Sequence, residues 1–329
     1  KINMSVKNYF CEPSEAIDML DNIREGRVKL GLGMGDRLAD DHLRYKQGQF
    51  VMINGGDNVG KTSWILWYFV VLALKHKITF DIYSAENSIA SLKRDIMQFM
   101  TGKTLNKLTD LEYRRAFDEM NHYFKFIRND IIYNIKELLA ISAQSDSKCL
   151  LIDPWNSLKG SGGNKHEEDY EACGEIRVFC NTKKKSVYVN AHLVTEAARK
   201  KYAKDHEYEG HQMPPSKSDT EGGQKFANRC DDFITIHRMT QFEARKNFTE
   251  IHVRKVKETI TGGSVTPLDR PLIFKMWNFT RFEIGEGNPI ANETGQGTPV
   301  QQTLSTLNHA KNDKFETESV QKDADPFPF

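Results

Sequence analysis

Cysteines are few, and none is in a metal-binding arrangement: Cys11, Cys149, Cys173, Cys180 and Cys230 include no C-x-x-C pair. That argues against zinc, and a scattered, odd set fits a reducing compartment. An excess of one charge is also missing. Lys and Arg number 46 against 45 Asp and Glu, a formal net charge of +1, so any basic surface for nucleic acid must be local. Membrane-spanning runs are absent too. The stretch WILWYFVVLAL (64–74) falls short of the ~20 residues needed to cross a bilayer and reads as a buried helix. No secretory signal and no internal repeat are visible. The chain opens on Lys1 rather than Met, which leaves room for a domain upstream.

Against these absences stands one dense motif. INGGDNVGKTSW (53–64) sets Gly55, Gly60, Lys61 and Thr62 in the spacing G-x-x-x-x-G-K-[ST]. Such a loop cradles a triphosphate. The backbone of Gly55, Asp57, Asn58, Val59 and Gly60 curls so that N–H groups meet phosphate oxygens, and the helix opening at Lys61, Thr62 and Ser63 adds its positive end. Lys61 would reach the β- and γ-phosphates, and the Thr62 hydroxyl would ligate magnesium, so ATP and Mg2+ are expected. The flanks agree: QFVMIN reads as a buried strand and KTSWILWYFVVLALKH as a helix. A chance Gly-rich turn would lack that context.

The remaining elements follow from periodicity. PSEAIDMLDNIRE (13–25) reads as a helix with Ile17, Leu20 and Ile23 near helical spacing. Strands are expected at ITFDIYS (78–84), KFIRN (125–129), KCLLID (148–153), SVYVNAH (186–192), FITIHR (233–238), FTEIHVRKV (248–256) and PLIFKMW (271–277). Helices are expected at 87–102, 108–123, 134–145 and 168–185, with a long polar loop from Thr195 to Asp219. Alternating strands and helices predict an α/β fold: a mainly parallel sheet with helices on both faces. The last strands follow one another directly, which predicts an antiparallel extension. Beyond Gly285 the apolar content falls away, so 287–329 reads as a disordered tail.

Hydrolysis needs more than a cradle. Asp153 ends the strand CLLID and is the candidate magnesium acid, unless it merely caps a turn. Glu86 follows the strand FDIYS at the carboxyl edge of the sheet, where open α/β folds bind ligands. It is a candidate for orienting the attacking water, although a Glu there is often only a solvated helix-start residue. His192 ends SVYVNAH at the same edge. It either senses the γ-phosphate or packs at a strand end.

These segments together resemble the motor domain of the DnaB-type hexameric replicative DNA helicases, a group that includes Twinkle and phage helicase-primases. The resemblance runs over about residues 12–286, through LRYKQGQFVMINGGDNVGKTSW, IYSAENSIASLKRDI, LLIDPWNSL, VYVNAH, PPSKSDTEGGQKFANRCDDFITIHR and FTEIHVRKVKE…WNFTRFE. It implies a RecA-like P-loop core at 31–286 preceded by a linker helix within 1–30. It puts the catalytic glutamate on Glu86, the magnesium acid on Asp153 and the γ-phosphate sensor on His192. Loops at Lys159–His166, including Lys165, and at Ser218–Gln224 would line a DNA channel, with Thr220, Glu221, Gly223 and Gln224 as contacts.

Two departures stand out. Lys257 occupies the place of the family's arginine finger, with Lys255 two residues before it. A lysine lacks the planar bidentate fork, so Arg254 is an alternative. Thr220 stands where an Arg is common.

The resemblance implies an ATP-driven translocase on single-stranded DNA, built as a homohexameric ring in which Lys255 and Lys257 complete a neighbour's site, and working in the cytoplasm of a bacterium or infected host. Two other readings stay open: a recombinase-like or clock-type ATPase that does not unwind, and a degenerate loading or scaffolding subunit. The terminal KDADPFPF resembles acidic Pro-Phe docking tips and implies contacts with primase or polymerase.

Overall fold

The computed structural model describes residues 16–160, 162–285 and 287–294, together with Glu12 and Ser14. Five strands are buried along their whole length: β1 (Phe50–Asn54), β2 (Phe80–Ser84), β4 (Cys149–Asp153), β5 (Ser186–Ala191) and β6 (Asp232–His237). They read as near-continuous apolar runs because helices cover both faces of a parallel sheet. With β3 (Phe124–Phe126), β7 (Phe248–Val256), β8 (Leu272–Trp277) and β9 (Arg281–Glu283), the sheet runs β3-β2-β4-β5-β1-β6-β7-β8-β9. The first six in that order are parallel, and β7, β8 and β9 add antiparallel pairings. Asn54, Ser84, Asp153, Ala191 and His237 therefore end their strands along one edge.

The described helices are α1 (Ile17–Arg24), α2 (Arg37–Asp40), α3 (Lys61–His76), α4 (Ile89–Thr101), α5 (Asp110–Tyr123), α6 (Ile135–Gln144), α7 (Lys165–Lys183) and α8 (Gln224–Arg229). Local signals set several starts. Thr109 with Glu112 and Asn134 with Glu137 form reciprocal capping boxes at α5 and α6. Alternate strand residues point to opposite faces, and the core divides accordingly. Val51, Ile53, Phe80, Ile82 and Leu151 pack with α3, α4 and α5. Phe50, Met52, Tyr83, Leu150 and Ile152 pack with residues of α6, α7 and α8.

The apolar run read as a core helix is one: α3 buries every residue from Trp64 to Leu74. Trp67 lies 5.5 Å from the Phe274 ring and 5.3 Å from the Phe282 ring, which fastens α3 to the antiparallel extension.

Three expectations are revised. The first helix is shorter than 13–25, and none of its residues is buried; Ile17, Met19 and Leu20 face solvent. The ordered body also continues past the expected boundary at 286. Ile290 is fully buried in the core, and Glu293 lies 3.8 Å from Lys75. The rest of the tail, including its Pro-Phe tip, lies outside the described residues. The third revision concerns 195–219, which is more than loop. Backbone bonds between Tyr202 and His211 and between Met213 and Lys200 make a hairpin in which the Tyr202 ring stacks on His206 and meets Tyr208 edge-on.

Trp67→Ala removes a buried indole that, with Trp64, packs α3 against the antiparallel extension. It should lower unfolding stability by roughly 3–5 kcal/mol, as truncation of a buried aromatic does, measured as a lower urea midpoint at an unchanged slope.

Candidate functional site

The chain leaves β1 at Asn54 and enters α3 at Lys61 through a loop that only glycine permits at two points. A Cβ on Gly55 would lie 2.3 Å from the Ile236 carbonyl oxygen. Gly60 sits at φ 86°, in the left-handed region, and caps α3. Inside this loop the Lys61 ammonium donates to the carbonyls of Gly55 (3.0 Å) and Gly56 (2.8 Å). Burial pulls its pKa down, while the nearby Asp153 carboxylate pulls it up. Val59 is buried, and the Asp57 side chain is 88% exposed beside the loop.

Asp153, at the end of β4, joins the loop to the sheet. Its Oδ2 accepts from Thr62 Oγ1 at 2.8 Å and from Ser84 Oγ at 3.4 Å, and its Oδ1 accepts from Asn190 Nδ2. Burial raises its pKa, against the Asn190 and Thr62 hydrogen bonds and the Lys61 charge. A hydroxyl and a carboxylate at contact distance are hard oxygen donors suited to magnesium. Among the described residues no group of three or more His, Cys, Asp or Glu could hold a metal alone. A magnesium ion here would therefore take its other ligands from phosphate oxygens and water, which is its usual habit.

Glu86 and His192 meet at the same edge. His192 Nε2 lies 3.0 Å from Glu86 Oε1, and its Nδ1 lies 3.9 Å from Asp57 Oδ1. Glu86 is 56% exposed, so water reaches it. The sequence-predicted Lys61, Thr62, Glu86, Asp153 and His192 thus converge from three strand ends and one helix start.

The loop expected to touch DNA connects to this cluster through buried polar groups. The His192 carbonyl accepts from the Glu221 N–H at 2.8 Å. Asn54 Nδ2 donates to Thr220 Oγ1 (3.0 Å) and to the Ser216 carbonyl (2.9 Å), while Asn54 Oδ1 accepts from Thr235 Oγ1 (2.7 Å). Thr220 is fully buried, which corrects its assignment as a DNA contact: its hydroxyl is held inside the fold. Glu221 and Gly223 are half-buried, Gln224 is exposed at the start of α8, and Lys159 is exposed. Lys165 opens α7.

Lys255 and Lys257 lie elsewhere. β7 runs antiparallel to β6, so its last residues pair with Asp232 and Phe233 at the far end from the phosphate loop. Lys255 Nζ donates to the Ala227 and Cys230 carbonyls, both at 2.7 Å, where α8 ends. Lys257 Nζ is 3.3 Å from Asp231 and 55% exposed. Arg254 donates to the Pro215 carbonyl at 3.2 Å and faces the 195–219 segment. The structure brings none of the three to this chain's own phosphate loop.

Residue-level reading missed several members of the site. Arg238 Nη2 donates to the Asn58 carbonyl at 3.0 Å, over the loop. Beside it opens a cavity of about 490 Å³ lined by Arg238, Lys275, Trp277 and Phe279. Asn190, Ser84 and Asn54 were also passed over. Their signal was available, since each is a polar residue near the carboxyl end of an otherwise apolar strand.

No helix among the described residues is long and apolar enough to cross a membrane. No family model matches the chain, and no curated protein matches it in sequence. Solved structures do match in shape. The chain superposes on one solved ATPase domain with a TM-score of 0.64 and 11% identity, covering 84% of this chain and 98% of that one. It superposes on a DnaB-like replicative helicase, described with its interactions with primase, with a TM-score of 0.64 and 13% identity, covering 83% of this chain and 67% of that one. The fold of this chain is that of the ATPase domains of DnaB-like replicative helicases.

Proposed function

We propose that the chain is the motor of a replicative DNA helicase, hydrolysing ATP to move along single-stranded DNA and part the duplex. The observation that carries this is the meeting of Lys61, Thr62, Asp153, Glu86 and His192 at one sheet edge of a helicase-type fold.

Each residue has a chemical part. Lys61 would exchange the Gly55 and Gly56 carbonyls for phosphate oxygens. Thr62 and Asp153 would hold magnesium, which supplies charge neutralisation on the phosphates. Glu86 would take a proton from the attacking water, with His192 holding its carboxylate in position. Because the His192 carbonyl bonds Glu221, loss of the γ-phosphate next to His192 would be felt in the 216–224 loop. Arg238, Trp277 and Phe279 give the base a place to stack beside the loop.

Assembly into a homohexameric ring fits two features. The apolar face of α1 is exposed, which suits docking on a neighbour. Lys257 is exposed and far from its own phosphate loop, so it would serve the next copy's nucleotide. Of the two finger candidates, Lys257 is favoured because it is 55% exposed, whereas Arg254 is half-buried and donates to the Pro215 carbonyl.

The direct test is strand displacement on a forked DNA substrate with ATP. Unwinding that also proceeds with a non-hydrolysable analogue, or DNA-stimulated turnover without any unwinding, would rule out the helicase reading; the latter would favour the recombinase-like one. Glu86→Gln should bind a fluorescent ATP analogue normally while phosphate release falls about 10²–10⁴-fold. Near-normal release would remove Glu86 from the mechanism. Thr220→Val deletes the hydroxyl that accepts from Asn54 and donates to the Lys217 carbonyl. It should cut DNA stimulation of turnover about fivefold, the scale of a coupling energy near 1 kcal/mol, and leave turnover without DNA within about twofold. Equal stimulation in mutant and wild type would exclude that link.

A further inference from the structure

The edge of the sheet opposite the nucleotide cluster carries a second built feature. At the start of β2, the buried Asp81 accepts hydrogen bonds from the hydroxyls of Ser142 (2.7 Å), Ser145 (2.8 Å) and Ser147 (2.5 Å). Lys185 Nζ, also buried, lies 3.8 Å from Asp81 and donates to the Ser145 carbonyl at 2.7 Å and to Ser147 Oγ at 3.3 Å. The three hydroxyls satisfy the carboxylate, the turn's carbonyls and Ser147 satisfy the ammonium, and the two charges offset each other while fixing the 142–148 turn to the end of α7. Above this neutral floor opens a cavity of about 240 Å³ lined by Gln47, Ser145, Lys148, Lys183 and Lys184, among others.

Three of those rim lysines are unbalanced. Among the described residues Lys148, Lys183 and Lys184 are exposed, and no carboxylate pairs with them. The one exposed acid at the rim, Asp146, is taken by Lys125. A simpler role would be to complement the negative end of α7. Lys77 does this for α3: it sits in a left-handed C-cap and donates to the Leu74 carbonyl at 2.9 Å. Lys184 adopts the same left-handed conformation at φ 53°, strained for a residue with a Cβ, but its ammonium makes no such bond. The charge is held outward over the cavity.

We infer that this pocket, rimmed by Lys148, Lys183 and Lys184 at the amino-terminal edge of the sheet, is a second nucleic-acid contact that binds phosphate groups of a DNA strand outside the channel loops. Apart from the paired Asp146, the lining consists of ammonium, amide and hydroxyl groups, with Ala143 the sole apolar side chain, and that chemistry recognises backbone phosphates without reading sequence. It does not suit the chain's own KDADPFPF tip, whose two phenylalanines would need an apolar surface. The nucleotide cluster lies a strand length away, at the other ends of β1, β4 and β5, so the two sites do not share a ligand. The assignment of the bound strand rests on the helicase reading.

The test compares the full-length wild type with a triple Lys148→Gln, Lys183→Gln, Lys184→Gln variant on single-tailed and two-tailed forked DNA. A triple Lys→Arg variant at the same positions serves as the charge-preserving control. For the Gln variant, affinity for the two-tailed fork should fall about tenfold at ~0.1 M salt. The slope of log K against log[salt] should flatten by about 2, close to ~0.7 for each lost single-strand contact. Turnover stimulated by the single-tailed DNA should be unchanged, and the Arg variant should behave as wild type. Equal affinity and slope for wild type and Gln variant would overturn the site, as would a wild type that binds no forked DNA. A wild type that binds the fork with the lysine-dependent slope, yet shows no DNA-stimulated turnover, would instead sink the helicase reading and leave the phosphate site standing.

Discussion

The hydrogen bond from Thr62 to Asp153 is the constraint on which the site depends. One partner stands on the first turn of α3 and the other at the end of β4, two strands away from β1 in the sheet. Asp153 is almost completely buried, and a carboxylate in such a place costs several kcal/mol unless hydrogen bonds surround it. Thr62, Ser84 and Asn190 supply those bonds, so three separate elements are drawn to one carboxylate. Since β2, β4, β5 and β1 are parallel, closing the sheet around Asp153 also delivers Glu86, His192 and the phosphate loop to the same edge. The geometry of the site is thus a consequence of strand direction combined with one expensive buried charge.

A second layer ties that edge to the 216–224 segment. Asn54 is fully buried and uses its amide on three partners, two in the loop and one on β6. Such a satisfied network is stiff, because breaking any member leaves a buried polar group without a partner. Movement of the loop would therefore be transmitted to the residue preceding Gly55, whose carbonyl holds Lys61.

Much of this was legible beforehand. The phosphate loop, the core helix and every strand of the sheet down to β8 follow from apolar runs and turn residues, and Lys61, Thr62 and Asp153 stand out by their places at element ends; position alone left Glu86 and His192 open, and only the family resemblance gave them roles. What escaped has a common physical cause. Arg238, Asn190 and Asn54 act through contacts between strands far apart in sequence, and periodicity carries no information on strand order. Thr220 was placed at the channel by the resemblance alone, at a position where an Arg is common, and its burial against Asn54 is a long-range contact of the same hidden kind. The buried Ile290 shows the same limit, since one apolar residue in a polar stretch gives no periodic signal. Spacing could not tell whether α1 packs on its own domain, and the exposure of Ile17 and Leu20 becomes visible only once the core is complete.

The central claim is that the hydrolytic site is completed by a second copy of the chain. It rests on the separation of Lys257 from its own phosphate loop, at opposite ends of the sheet, and on its exposure beside Asp231. Subunit mixing tests this most directly. Lys61→Ala and Lys257→Ala proteins should each be inactive in ATP turnover, and mixing them should restore partial activity, because some interfaces then pair an intact phosphate loop with an intact Lys257. Full turnover by Lys257→Ala alone, or no recovery in mixtures whose mass demonstrates mixed oligomers, would contradict the account.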